Sequence, residues 1–306
     1  MVRLRLLALA FSAWFGLAQA TRAADICLLV DGEDAVNARL AQDIGQLLAG
    51  RHTLTRLDYT QTRNLDALDR GKTLARMAAC SLVVTLGDRA TGFVVEELED
   101  THAFFVGGTV LSGHNLEAAQ LAGVMAYSPL EILLTAKQLL PESRVVGVIY
   151  TDGYTRLILE TMDQSRREGV ELLAKRIYKR QDIAPAIREL AAHSDVYWVL
   201  GDPLICEGPA FQYALKEFLE QRKPVIAPAL NEVRKGALFC LEPDPAELVK
   251  TASEAIERLL SDATGFAPAA TRITPVAGRS TILLNRRLAE KLKVTAPADR
   301  KVVLID

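Results

Sequence analysis

No stretch of this 306-residue chain approaches about eighteen uninterrupted apolar residues, so nothing in it reads as a membrane-spanning helix. Charge of one sign is also missing. With 36 basic and 38 acidic side chains the formal net charge is −2, which offers no electrostatic footprint for nucleic acid or anionic lipid. Histidine is scarce: His52, His102, His114 and His193 have no HxxxH spacing and no cysteine partner, so no metal site is expected. No GxSxG elbow occurs, and no GxGxxG follows the first predicted strand, which argues against a serine hydrolase or a dinucleotide enzyme. Gly71-Lys72-Thr73 has the ending of a phosphate-cradling loop, but Asp66 stands where its first glycine belongs and no strand precedes it. A chain without nucleophile, metal set or cofactor loop is expected to bind a molecule and not to transform it, with no catalytic residue and no cofactor.

What is present begins with Arg3 and Arg5, an apolar run from Leu6 to about Leu17, and then Ala18-Gln19-Ala20-Thr21-Arg22-Ala23. This is the pattern of a secretory signal peptide, expected over residues 1–23. Small residues stand at the two positions a signal peptidase needs before a cut after Ala20 or after Ala23. A lipid anchor would need a cysteine directly behind the small-residue box, whereas Cys27 follows Ala24, Asp25 and Ile26. A soluble periplasmic protein is therefore expected. Loss of Arg3, Arg5 and Arg22 leaves 33 basic against 38 acidic side chains, a net charge of about −5. In an oxidising compartment the four cysteines could pair as Cys27 with Cys80 and Cys206 with Cys240, or remain four buried thiols.

From Asp25 short β-rich runs alternate with helical ones. Strands are predicted over 26–30, 52–59, 81–86 and 103–107, with helices over 35–49, 69–79 and 90–98 between them. A polar, glycine-bearing stretch from Gly107 to Gly123 reads as the first crossing between lobes. The alternation then restarts, with strands over 145–150, 170–177, 196–200 and 224–227 among helices over 130–140, 154–167, 183–192 and 209–221. The tail adds a strand at 237–241, a helix at 245–260, a strand at 282–284 and a helix at 286–292. Two doubly wound parallel-sheet lobes in the α/β class follow, because about 280 mature residues exceed what one core usually supports. The expected division is 24–122 plus 237–306 for the first lobe and 123–236 for the second.

Ligands of open parallel sheets sit beyond the carboxyl ends of the strands, where loops enter helices. Those loops are Asp31-Gly32-Glu33-Asp34, Gly87-Asp88-Arg89-Ala90-Thr91 and Gly107-Gly108-Thr109 in the first lobe. In the second they are Thr151-Asp152-Gly153-Tyr154-Thr155, Gly201-Asp202-Pro203 and Ala229-Leu230-Asn231. Asp, Thr and Gly here suit helix capping and positive φ, and equally suit ligand capture by exposed N–H groups and carboxylates. The candidate ligand contacts are Asp31, Gly87, Asp88, Thr91, Thr109, Tyr150, Asp152, Tyr154, Asp202 and Asn231. Tyr127, Tyr150 and Tyr154 could form an aromatic wall. Acids outnumber bases, Asp31, Glu33, Asp34, Asp88, Asp152, Asp202 and Glu207 against Arg89 and Arg156, which points to a ligand with a cationic or hydroxyl-rich portion.

Three segments carry a resemblance. Ser128 to Tyr150 (SPLEILLTAKQLLPESRVVGVIY), Lys223 to Leu241 (KPVIAPALNEVRKGALFCL) and Thr281 to Asp299 (TILLNRRLAEKLKVTAPAD) resemble the ABC-transporter substrate-binding family related to tryptophan-binding receptors. The resemblance implies a periplasmic binding protein of the first type, with lobes joined by a three-crossing hinge. It implies a monomer that takes up a small molecule, often an amino acid or related compound, with an inner-membrane ABC permease and its ATPase as partners. The same lobes in a ligand-sensing receptor would signal through a membrane protein instead. By position the family's cleft maps to Asp31, Gly87, Asp88, Thr109, Tyr150 to Tyr154, Asp202 and Asn231. Two departures stand out: Gln120-Leu121-Ala122-Gly123 replaces an Asn-Ile-Thr-Gly-like crossing, and Asp88 replaces the usual Thr or Ser.

Overall fold

The computed structural model describes residues 23–33, 35–98, 101–107, 121–206, 208–261, 273–276 and 280–306. Asp34, Thr109, Glu207, residues 1–22 of the expected leader and residues 262–270 of the expected tail loop lie outside the described residues. In chain order the strands are β1 (Asp25–Val30), β2 (Thr53–Asp58), β3 (Leu82–Leu86), β4 (Ala103–Val106), β5 (Leu121–Met125), β6 (Val145–Tyr150), β7 (Glu171–Arg176), β8 (Val196–Trp198), β9 (Val225–Ile226), β10 (Phe239–Glu242), β11 (Ile273–Pro275), β12 (Thr281–Asn285) and β13 (Val302–Ile305).

They form two sheets. The first runs β11-β5-β4-β3-β1-β2 and all its pairings are parallel. The second runs β13-β12-β10-β9-β8-β6-β7 and is parallel except where β10 meets β12. Central parallel strands are covered on both faces and so need unbroken apolar runs. Residues 26–30 and β3 supply them and are buried throughout. One face of the first sheet packs Leu40, Ile44 and Leu48 from the helix Ala35–Leu48 beside Leu248, Ala252 and Ile256 from the helix Pro245–Ser261. The other face packs Met77, Phe93 and Val94. The second sheet is likewise sandwiched, with Ile132, Leu133 and Ile158 on one side and Ile187, Leu190, Phe211 and Phe218 on the other.

The chain passes between the sheets three times. It leaves the first after β5, through Ala126 to Ser128, and enters the second with the helix Pro129–Leu139. It returns after β10 with the helix Pro245–Ser261, adds β11 to the first sheet, and crosses again to β12. The fold is that of a two-lobed, type I periplasmic binding protein.

This corrects the expected division of the chain. Residues 237–306 do not return as a block to the first lobe: β10, β12 and β13 belong to the second sheet, and only the helix Pro245–Ser261 and β11 go back. The apolar Phe239, Cys240 and Leu241 fill the second lobe's core, which decides where β10 lies. The first crossing also comes later than Gly107 to Gly123, because Leu121–Met125 is a buried strand. Its Gly123 reads as a loop residue in sequence, yet in the strand it makes room for a ring. A Cβ there would stand 2.2 Å from Cδ1 of Phe105.

Covalent and ionic ties reinforce both lobes. Cys27 of β1 is disulfide-bonded to Cys80, with Cα atoms 6.0 Å apart. Of the two alternatives the sequence left open, the structure takes neither whole: this one bridge forms, while Cys206 and Cys240 remain thiols. At the crossings, the Arg300 guanidinium donates to Glu131 Oε1 at 2.9 Å, to the Ser280 carbonyl at 2.8 Å and to Thr135 Oγ1 at 3.3 Å. The Ser280 amide donates to the same Glu131 oxygen at 2.8 Å. The Arg300 side chain is only 4% exposed, so its charge must be matched locally.

Two stability outcomes follow from these ties. Replacing Cys27 and Cys80 together with alanine is expected to lower the unfolding free energy by about 2 to 4 kcal/mol in urea titration, measured against the oxidised protein. Arg300→Met strands the Glu131 carboxylate and is expected to cost about 3 kcal/mol by the same measurement. A loss under about 1 kcal/mol would show that water already satisfies the pair.

Candidate functional site

In each sheet the strand order reverses once on either side of the first strand laid down. In the first sheet β1 lies between β2 and β3, and in the second β6 lies between β7 and β8. At such a switch point neighbouring loops leave in opposite directions and open a crevice at the strands' carboxyl ends. The first crevice is bounded by Asp31 after β1 and Gly87-Asp88-Arg89 after β3. The second is bounded by Thr151 and Asp152 after β6 and Asp202 beyond β8.

One polar bridge spans each crevice. In the first lobe Arg89 grips Asp31 with two bonds, Nε to Oδ2 and an Nη2 to Oδ1, both 2.7 Å. The same Nη2 donates to Glu33 Oε2 at 2.9 Å, Thr60 donates to the other Glu33 oxygen at 3.3 Å, and the guanidinium lies over the Tyr59 ring. Hydrogen bonding from Arg89 holds the Glu33 carboxyl below its usual range. In the second lobe Thr151 Oγ1 donates to Asp202 Oδ2 at 2.6 Å, while the Leu204 amide donates to Oδ1 at 2.8 Å. Asp202 is thus buried as the cap of the short helix Pro203–Cys206.

These bonds redistribute the acidic bias expected from sequence. Asp31 and Glu33 share Arg89, Asp152 is paired with Arg176 at 2.7 Å, and both Asp202 oxygens are engaged. Asp88 differs from all of them. Among the described residues no hydrogen bond or ion pair reaches its carboxylate. The residue keeps solvent-exposed surface in the crevice, but protein crowds around its carboxylate. Loss of bulk water, and behind it the Asp31 charge, push its pKa up to about 7.

Gly87 allows this loop to form. Its φ is +98°, and a Cβ there would stand 2.8 Å from Asn37 Nδ2 and 3.0 Å from Asp31 Cβ. It also starts the helix Asp88–Glu97 without a side-chain cap. The amides of Asp88, Arg89 and Ala90 therefore have no partner within the helix, and the Thr91 amide makes the first bond, to the Gly87 carbonyl at 3.1 Å.

Other expected contacts serve elsewhere. Thr91 is 1% exposed, and its hydroxyl bonds Thr85 at 2.8 Å and the Gly87 carbonyl at 3.0 Å, so it props the loop from beneath. Tyr154 is fully buried in the second lobe's core beside Ile158, which removes it from the expected aromatic wall. Tyr150 is half-buried against the same core, and Asn231 is exposed on the helix Leu230–Arg234. Tyr127 is a hinge residue: its hydroxyl donates to the Pro228 carbonyl at 3.3 Å. Burial, with Cys240, Asp88 and Glu131 behind it, holds that phenol well above its usual range. Asp88 and the hinge therefore share one electrostatic neighbourhood. Sequence reasoning missed the clamp made by Arg89 and the partnership of Arg176 with Asp152. The signal for the first was present, since a base directly after Asp88 sits one strand away from Asp31.

Among the described residues no helix is long and apolar enough to cross a membrane, and no group of acids, histidines or cysteines is placed to hold a metal ion. No curated protein matches the chain by sequence. The chain is similar in fold to an ABC domain in complex with L-Trp from Streptococcus pneumonia, at 17% identity and a TM-score of 0.59, covering 92% of this chain and 100% of that one. A ligand-free, open substrate-binding protein with adhesive properties from Clostridium difficile matches at 16% identity and a TM-score of 0.60, over 93% of this chain and 99% of that one. A conserved domain protein from Vibrio cholerae matches at 17% identity and 0.56, over 90% and 96%. The family model described as ABC transporter substrate binding protein matches residues 102–303. The chain belongs to the ABC transporter substrate binding protein family.

Proposed function

We propose that this protein is exported to the periplasm through cleavage of residues 1–23 and there captures a small polar solute between its two crevices. The solute is an amino acid or related compound with a cationic or hydroxyl-rich portion. It is handed, by a monomeric receptor with no nucleic-acid partner, to an inner-membrane ABC permease and its ATPase. The observation that carries this reading is Asp88. It is a carboxylate at the first lobe's switch point with no protein partner among the described residues, while Asp31, Glu33, Asp152 and Asp202 beside the crevices are all engaged. A group of this kind is completed by a ligand cation or hydroxyl. The likeness to a domain in complex with L-Trp supports an amino acid or a relative of one, at the level of fold. Asp31, Gly87, Tyr150, Asp152, Asn231 and Thr109 are assigned to the same cleft from the sequence, by their places at the strand ends.

Protein unfolded and refolded to strip bound solute should be screened by thermal shift against amino acids, polyamines, nucleosides and sugars. A ligand at about 100 times its Kd adds about 2.7 kcal/mol, or about 5 °C in the melting midpoint. No shift across the set would sink the receptor reading. Asp88→Asn is expected to keep its fold and weaken a cationic ligand at least about tenfold, the loss of one charge-assisted bond. Asp202→Ala removes a cap and is expected instead to lower stability by about 1 kcal/mol.

The pH dependence has a definite sign. A carboxyl raised to about 7 in the folded protein carries its proton there, so its contribution to stability is full below the unfolded value of about 4 and is lost as pH rises through 7. Affinity for a cationic ligand moves the other way. It is expected to rise as pH climbs through about 7 and to be flat in Asp88→Asn, as read by calorimetry.

A further inference from the structure

At the end of β1 opposite Asp31, the main-chain nitrogen of Ala24 stands 3.2 Å from Nδ1 of His52. The other ring nitrogen, Nε2, stands 3.2 Å from Oε1 of Glu257 on the helix Pro245–Ser261. The His52 side chain is 1% exposed and that of Glu257 16%. An N–H on Ala24 can only donate, so Nδ1 accepts and the ring proton sits on Nε2, aimed at the carboxylate. Arg51 Nε also lies 3.2 Å from that oxygen, from a more exposed position. The Ala24 carbonyl accepts from the Thr53 amide at 2.9 Å, and the Ala24 side chain packs on the first lobe's core, whereas Ala23 is exposed. Ala24 is thus held on the first lobe, with its nitrogen pointed into a buried imidazole backed by a carboxylate.

The carboxylate accepts from the buried Nε2–H whichever group donates to Nδ1, and it also supplies the countercharge that a terminal ammonium donating there requires, charge-assisted bonds being the stronger kind. We propose that signal peptidase cuts after Ala23 and that the new α-ammonium of Ala24 is seated on His52 and Glu257. Water adds across the Ala23–Ala24 amide, the carboxylate departs with Ala23, and the released amine takes up a proton. A cut after Ala20 would place the ammonium on Thr21, three residues upstream of the seat. The proposal rests on the reading of residues 1–23 as a cleaved leader, and on nothing about the ligand.

The full chain should be exported from a bacterial host on its own leader, and its start read by N-terminal sequencing and intact mass. A start at Ala24 is expected. A start at Thr21 overturns the proposal, and a chain still beginning at Met1 overturns the leader reading with it. The seat is then tested with two forms whose ends are set by seamless removal of a fusion partner, one starting at Ala24 and one at Thr21. Near pH 6.5, where an α-amine is protonated, the Ala24 form is expected to melt about 3 °C higher. Glu257→Gln in both forms should narrow that gap. Equal midpoints in the two unsubstituted forms would refute the seat wherever the peptidase cuts.

Discussion

The buried pair of Arg300 and Glu131 holds together parts of the chain that sequence keeps far apart. Glu131 lies in the first turn of the helix that begins the second lobe, just after the first crossing, and Ser280 follows the third crossing. Arg300 comes from the segment before the last strand and reaches both. Two charges taken out of water must stay in register or each faces a large desolvation cost. That requirement ties the second-lobe ends of the first and third crossings to one another.

The crevices themselves are electrically quieter than a count of their acids suggests. Arg89 takes up two carboxylates, Arg176 a third, and Asp202 spends its oxygens on Thr151 and on a helix start. What remains is a rim whose acids outnumber its bases by two, with Asp88 set into it. Asp88 also lies close enough to the buried Tyr127, which bonds the Pro228 carbonyl, for its charge to bear on that phenol.

Much of the fold was legible in sequence because parallel strands advertise themselves as apolar runs. β1, β3, β6 and the helices Ala35–Leu48, Ala67–Ala78, Asp88–Glu97 and Pro129–Leu139 fall within about two residues of the pattern, whereas the short helix Tyr59–Arg63 was not anticipated. The failures have physical causes. Leu121–Met125 is apolar but carries Gly123, which signals a turn unless the Phe105 ring that occupies its side-chain space is known. The strands β10 and β12 were readable as strands and β13 was not anticipated, and the lobe they join was not legible, since sheet membership depends on long-range pairing such as Phe239 opposite Leu284. At the site, loop positions were legible from the strand ends, but the direction of each side chain was not. Thr91 and Asp88 lie three residues apart on the same helix, and one is buried beneath the loop while the other faces the crevice.

The late return of one helix and one strand to the first sheet bears on how the protein comes into being. The helix Pro245–Ser261 covers Leu40, Ile44 and Leu48, and β11 closes the sheet edge beside β5, yet both are among the last parts of the chain to be made. A chain that emerges amino end first therefore presents an uncovered apolar face for most of its synthesis. The first lobe to emerge is not the first to be finished. Its completion waits on segments that arrive after nearly the whole second lobe, so the two lobes mature together and not in the order of their synthesis.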